Sequence, residues 1–169
     1  MRELGKYMER CTAMLDELHI PYSKRITNVV VSNRERTWGR CIAKRFLGTV
    51  DYTIEISYKL VNPEITETDD GLINTMLHEL LHTCADCTGH DRQWKRYAQM
   101  IYDHYGIDIK RTSSDEEKQV SKEVIKNQYS YIVQCTKCGN LIGRYRMSDV
   151  IKNPNSYRCK CGGNLTRTK

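Results

Sequence analysis

At 169 residues the chain suits one medium domain, or a domain of about 110 residues with a small appendage. Its hydrophobic content is 39% with a single Phe, and no apolar run approaches the roughly 20 residues that a membrane span needs. A spanning helix is therefore excluded, and the core must rest on Leu, Ile, Val, Met and the eleven Tyr. The net charge of +6 is unevenly spread: residues 1–110 hold 15 Lys+Arg against 16 Asp+Glu, and residues 111–127 hold four of each. Residues 128–169 hold eight basic residues against Asp149 alone, so the whole excess lies in the tail. A basic tail points to an anionic partner, nucleic acid first, with a merely solvating surface as the plain alternative.

In chain order, Leu4, Met8, Cys11, Leu15 and Leu18 recur at helical spacing, and Pro21 is expected to stop that helix. This start is charged and amphipathic rather than leader-like, so a cytosolic location, with association to the nucleoid, is expected. Eight cysteines in a reducing compartment read as thiols or metal ligands more readily than as disulfides. Three strands follow: "ITNVVVS", "TWGRCIAKRF" after the turn-like "NRER", and the alternating "YTIEISYKL". They predict a small antiparallel or mixed sheet. Asn62-Pro63 ends the last strand, and "TETDD" supplies acids and a cap for the helix "GLINTMLHELLHTC". The connection "ADCTG" leads to a second helix, "HDRQWKRYAQMIYDHYG", closed by Gly106. Residues 112–127 are polar and read as a linker, partly helical, between a domain at 1–111 and a basic unit at 128–169.

The motifs bearing chemistry are metal-ligand patterns. His78 and His82 are four apart in a helical stretch, so both imidazoles lie on one face where they can share a zinc ion. Glu79, beside His78, can reach a metal-bound water without ligating, which is the H-E-x-x-H arrangement of zinc peptidases. A catalytic zinc needs a third ligand and an open position, and His90, after a turn containing Gly89, is placed to supply it. The bland alternative is two polar helix positions and a helix cap. Cys84 and Cys87 leave four readings open: small buried thiols, a disulfide staple, part of another metal site, or ligands of the same zinc that would fill its open position. Further on, Cys135-x-x-Cys138 and Cys159-x-Cys161, with Gly139 and Gly162 just beyond, have zinc-ribbon spacing, and "YIVQ", "LIGRYRM" and "SYRC" are its expected strands. Four thiolates close that site, so its zinc is structural and supplies stability that a tail of this size cannot find in an apolar core. Two zinc ions, one catalytic and one structural, are thus expected.

For nucleic acid, Lys137, Arg144, Arg146, Lys152, Arg158, Lys160, Arg167 and Lys169, interleaved with Tyr145 and Tyr157, offer phosphate contacts and stacking surfaces. Arg34, Arg36, Arg40, Lys44 and Arg45 form a second cluster that would extend such a path, or simply face solvent along a strand. Tyr97, Tyr102, His104 and Tyr105 are candidates for steadying an oxyanion.

The order of these features resembles the SprT-like zinc metalloprotease family, which includes bacterial SprT and Spartan-type proteins. The shared pattern is an N-terminal helix, a small sheet bearing Trp-Gly ("TWGRC"), "HELLH", a later "GH" followed by Trp ("GHDRQW"), and a C-terminal zinc ribbon. The resemblance implies an α+β, minimal zincin-like domain with His78, His82 and His90 as zinc ligands and Glu79 as acid/base. It also implies cysteines 135, 138, 159 and 161 as ribbon ligands, and DNA-stimulated cleavage of DNA-attached proteins, including DNA–protein crosslinks. A monomer is expected. "CADC" inside the ligand loop departs from the pattern and leaves redox or metal control open. The rival readings are a non-catalytic, zinc-stabilised nucleic-acid-binding protein and a zinc hydrolase with a small-molecule substrate in a deep closed pocket.

Overall fold

The computed structural model describes every residue except Glu35 and Glu116, which fall in the expected turn 33–36 and the expected linker. The chain is α+β and divides into two compact units, Met1–Ser114 and Asp115–Lys169. No described helix is long and apolar enough to cross a membrane.

The first unit opens with α1 (Leu4–Glu17), which buries Cys11, Met14 and Leu15. The helix ends before Pro21 is reached. His19 takes a left-handed φ of 52°, its N–H bonds Asp16 O at 3.0 Å, and the Ile20 N–H returns to Leu15 O at 2.9 Å. That is a Schellman closure, with Ile20 and Leu15 supplying its usual apolar contact within the core. Three strands follow, β1 (Ile26–Ser32), β2 (Gly39–Phe46) and β3 (Thr49–Ser57), in the order β1-β3-β2. The sheet is mixed: β1 runs parallel to the central β3, and β2 is antiparallel to it through a tight hairpin. The hairpin turns at Leu47 and Gly48, both at positive φ, the backbone that a two-residue connection between twisted strands demands. The expected third strand is cut short, because Tyr58–Val61 forms a single helical turn, α2, capped by the Ser57 side chain.

Helix α3 (Asp70–Leu81) is the centre of this unit. It is apolar on nearly all sides and buries Leu72, Ile73, Met76, Leu77, Leu80 and Leu81, as a helix enclosed between layers must. α1 packs on α3, and Ile54 and Ile56 of β3 are buried in the same core. The first-turn acid is Asp70, whereas the carboxylate of Asp69 at the N-cap position makes no cap bond and instead accepts from Arg2 and from the Tyr7 hydroxyl. Helix α4 (Arg92–Tyr105) starts where Asp91 accepts the Trp94 N–H at 3.0 Å, and it ends on Gly106 at a φ of 70°.

In the second unit, α5 (Lys122–Gln128) lies within the segment expected to be a partly helical linker, and residues 115–127 cluster with the C-terminal unit. β4 (Tyr131–Cys135), β5 (Leu141–Arg144) and β6 (Leu165–Arg167) form an antiparallel sheet in the order β5-β4-β6. "SYRC" is not one of its strands and contributes only an isolated bridge, Arg158 to Asn164. The third strand comes after the second cysteine pair, because the turn at Gly162 must close before the chain can pair with β4. One further helical turn, α6 (Asp149–Lys152), places Ile151 in a small core with Val133, Cys135, Cys159 and Leu165.

Candidate metal centre and groove

The stripe left polar on α3 is Asn74, His78 and, at its C-cap, His82, each one turn from the last. A strap after α4 runs alongside it. The Asp108 carbonyl accepts from Asn74 Nδ2 at 2.8 Å, and the Lys110 carbonyl lies 3.0 Å from His78 Nδ1. The chain then leaves α3 through "CADC". Cys84 to Cys87 form a four-residue turn, closed by Cys87 N–H to Cys84 O at 3.3 Å, whose Cys87 carbonyl lies 2.8 Å from His82 Nδ1. A carbonyl only accepts, so both Nδ1 atoms carry the proton and both Nε2 atoms face inward as bare lone pairs. The left-handed residue of this connection is Asp86, at a φ of 60°, and not Gly89; Asp tolerates that region through local hydrogen bonding.

His90 closes the arrangement. Its Nε2 lies 3.0 Å from His78 Nε2, which in turn lies 3.3 Å from His82 Nε2. Lone pairs at that separation repel unless a cation lies between them. Tetrahedral ligands about 2.0–2.1 Å from zinc are about 3.3 Å apart, so the donor set fits that ion. Among the described residues the cluster comprises these three histidines, and neither Cys84 nor Cys87 belongs to it. Trp94 packs beneath, its ring centre 4.6 to 6.0 Å from all three imidazoles. Burial, then the neighbouring His82, holds the His90 pKa below its ordinary value and favours the neutral, ligating form.

The imidazoles open onto a groove of about 410 Å³ shared with Glu79, Gly39, Cys41, Arg45 and Tyr52. Glu79 is 6% exposed, and its carboxylate lies against β2, where a Cβ on Gly39 would come within 2.7 Å of Glu79 Oε1. Glycine is thus what lets strand and carboxylate share the site. Cys41, next along the groove face, has its thiol pushed up to about 12 by burial and then by the Glu79 charge, so it stays protonated. Burial likewise pushes Cys84 up to about 12, and both thiols of the "CADC" turn are free and buried.

Of the four groups expected to steady an oxyanion, His104 and Tyr105 are engaged by Glu17 at 3.1 and 2.5 Å, and Tyr102 lines a different cavity, with Trp94 and Asp108. Tyr97 packs against the core. The tyrosine in the groove is Tyr52, which sequence reasoning treated only as a strand position. Cross-strand pairing with Ala43 on β2 puts it there.

In the second unit Cys135, Cys138, Cys159 and Cys161 converge. Sulfur separations are 3.5 Å for Cys135 to Cys161 and 3.7 Å for Cys138 to Cys159, close to the roughly 3.8 Å edge of a tetrahedron with Zn–S of 2.3 Å and far from a disulfide bond. Backbone N–H groups, that of Cys138 first and then that of Lys137, lower the Cys135 pKa to about 6, towards the thiolate that metals bind. Gly139 and Gly162 take positive φ in the two turns.

The basic residues are partly committed. Lys137 donates to the Cys161 carbonyl, Arg144 to Gly143, Arg158 to Asn155 and Tyr157, and Arg167 to Lys169. Lys160 pairs with Glu117, and Arg34 lies 3.4 Å from Glu55. Arg146 and Arg40 are exposed, as is Arg36. Tyr145 packs on Tyr129 at 4.7 Å, whereas Tyr157 is exposed.

The SprT-like family model matches residues 8–113, more than half of the chain. The chain belongs to the SprT-like family. Comparison with curated proteins gives no match. This SprT-like chain carries both metal-compatible clusters, the histidine trio inside the matched region and the four cysteines beyond it.

Proposed function

We propose that this SprT-like protein is a zinc-dependent endopeptidase with a zincin-like active site, acting on proteins bound or crosslinked to nucleic acid. The observation that carries the reading is the convergence of three Nε2 atoms beside a buried carboxylate in an open groove. A zinc ion there would supply Lewis acidity, acidifying water and polarising a carbonyl. His78, His82 and His90 would hold it, the first two fixed in tautomer by the Lys110 and Cys87 carbonyls. Glu79 takes the proton of the attacking water and returns it to the leaving amine. The β2 edge, unpaired in the sheet, offers its backbone to an extended polypeptide running past that carboxylate. An open groove suits a polypeptide better than a closed pocket for a small molecule would. The four cysteines would hold a second, structural zinc, and the basic surface of the second unit, with Arg146 and Tyr157 exposed, is the part we assign to DNA.

The test is cleavage of a DNA-binding protein by the zinc-loaded chain, with and without single-stranded DNA. Glu79→Gln should lower kcat by at least about 10²–10⁴-fold while zinc content stays unchanged. Wild-type cleavage by that variant would refute the role of Glu79. DNA stimulation that survives charge reversal of Arg146, Arg158 and Lys160 together would refute the nucleic-acid assignment.

A further inference from the structure

The charges of the mixed sheet are sorted by strand alternation. On β3, Asp51 and Glu55 point to the face away from α3, and Val50, Tyr52, Ile54 and Ile56 point to the face that meets it. On the acids' face Arg25 pairs with Asp51 at 2.6 Å and Arg34 approaches Glu55 at 3.4 Å, and Arg40 and Lys44 stand opposite those same two carboxylates. On the groove face the balance differs. Arg45, opposite Val50, stands on this face, lines the groove and is exposed, and among the described residues it has no carboxylate in ion-pair reach; Arg40 borders the groove but stands opposite Glu55, on the other face. Among the described residues the carboxylate lining the groove is Glu79, which is buried against Gly39 at its far end. Any divalent ion on the three histidines would add to the same sign.

A groove whose exposed charges are all positive, continuous with the site where the bond is cut, selects its occupant by charge. We infer that the groove prefers acidic polypeptide segments and that Arg45 is the specificity-determining residue. The inference rests on the peptidase reading above. Six residues of β2 separate Gly39 from Arg45, about 20 Å at the rise of an extended strand. An extended substrate passing Glu79 therefore brings to Arg45 a side chain about six residues from the cleaved bond. Val50 and Tyr52 flank that position and accept the apolar part of the substrate chain. Because Arg45 is remote from the reacting atoms, it acts on binding and leaves the chemical step alone.

The experiment compares peptides sharing one cleavable centre and carrying either Asp/Glu or Lys/Arg four to seven positions from the bond, on each side in turn. The zinc-loaded wild type should cleave the acidic set with a KM about threefold lower or better, at similar kcat. Arg45→Ala should erase the preference, and Arg45→Glu should invert it. Lys44→Glu makes the same charge change one residue away on the opposite face and should leave the preference intact. At about 1 M salt, where screening reaches about 3 Å, the difference should vanish. Anisotropy of labelled, uncleaved peptides on the Glu79→Gln variant reads the same selectivity without turnover. Cleavage of both sets with equal KM, or an equal effect of Lys44→Glu and Arg45→Glu, overturns the inference while the peptidase reading stands. Failure to cleave any peptide overturns that reading instead, and the anisotropy still decides whether Arg45 selects acids. If single-stranded DNA displaces the acidic peptide from Arg45 and binds the groove more tightly, the cations serve a nucleic acid and the inference falls.

Discussion

Gly39 and Glu79 compete for one space. A methyl at Gly39 would lie 2.6 Å from Thr75 Cγ2 and 2.7–2.8 Å from Glu79 Oε1 and Cγ, and Thr75 is buried in α3 with its hydroxyl committed to Gly71 O. Thr75 cannot give way, so the carboxylate must. Gly39→Ala should therefore cost about 1–3 kcal/mol in stability through overpacking, and should lower kcat by about tenfold or more as Glu79 leaves its place. Zinc content should hold, since the atoms nearest an added methyl belong to Thr75 and Glu79 and not to an imidazole. A variant with full kcat would show that Glu79 works from another position. The grouping of the three histidines was legible in sequence because helical period and motif spacing are local properties, whereas the groups that aim them were not. The carbonyls of Lys110 and Cys87, the ring of Trp94 and the bare Cα of Gly39 reach the site only through tertiary contact. "CADC" illustrates the gap: its thiols drew the attention, while its backbone does the holding. Cys84→Ala with Cys87→Ala should thus keep most activity, about half or better, because a carbonyl survives side-chain truncation. Loss of zinc from that double variant, measured on the metal-loaded protein, would assign the sulfurs a role as ligands.

Among the elements, those with a local signal were the readable ones: α1 from its apolar spacing, β3 from alternation, β1 from its β-branched run, and α3 and α4 from the turns and caps that bound them. Strand order was not, because β1 lies parallel to β3 across an intervening hairpin, a pairing that no local pattern encodes. The same holds for the start of α3. Its acidic run suggested a side-chain cap, yet the Asp69 carboxylate turns to Arg2 and Tyr7, tying the N-terminus and α1 to the helix start. The Tyr7 hydrogen bond, and then Arg2, hold the Asp69 pKa below its ordinary 3.8. A carboxylate with a depressed folded value stabilises the fold fully above its unfolded value, and that stability is lost as pH falls through the folded value. Tyr7→Phe should therefore cost about 1 kcal/mol at pH 7, a modest sum because Asp69 is 45% exposed and water screens the contact. The difference from wild type should shrink below about pH 4 as Asp69 takes up its proton in both proteins. Urea denaturation at pH 7 and pH 3 reads this directly, and a difference that does not change with pH would place the stabilisation in packing rather than in the ionised pair.

At the scale of the whole molecule, the two units draw their stability from different sources. Among the described residues, the first is built on a core of twenty buried apolar residues around α3, and the second on a cluster of five, two of them cysteines of the metal cluster, with Val120, Ile125, Ile132 and Leu141 also buried. Burial worth about 25 cal/mol per Å² can support the first without metal, but not a tail whose core is this small. The four thiols are held at ligand spacing by two turns and a three-stranded sheet, and without an ion their partial charges and lone pairs face one another. Chelation of both metals should thus act unequally. The second unit should lose its sheet and its resistance to proteolysis, giving fragments that end within about 20 residues after Ser114, while the first retains its helical circular dichroism and a cooperative melt. Titrating zinc back should restore protection of the second unit and peptide cleavage by the first as separable steps, at a total of two ions per chain. Simultaneous collapse of both units on chelation would mean that the core around α3 is insufficient alone, and that the catalytic fold itself depends on its metal.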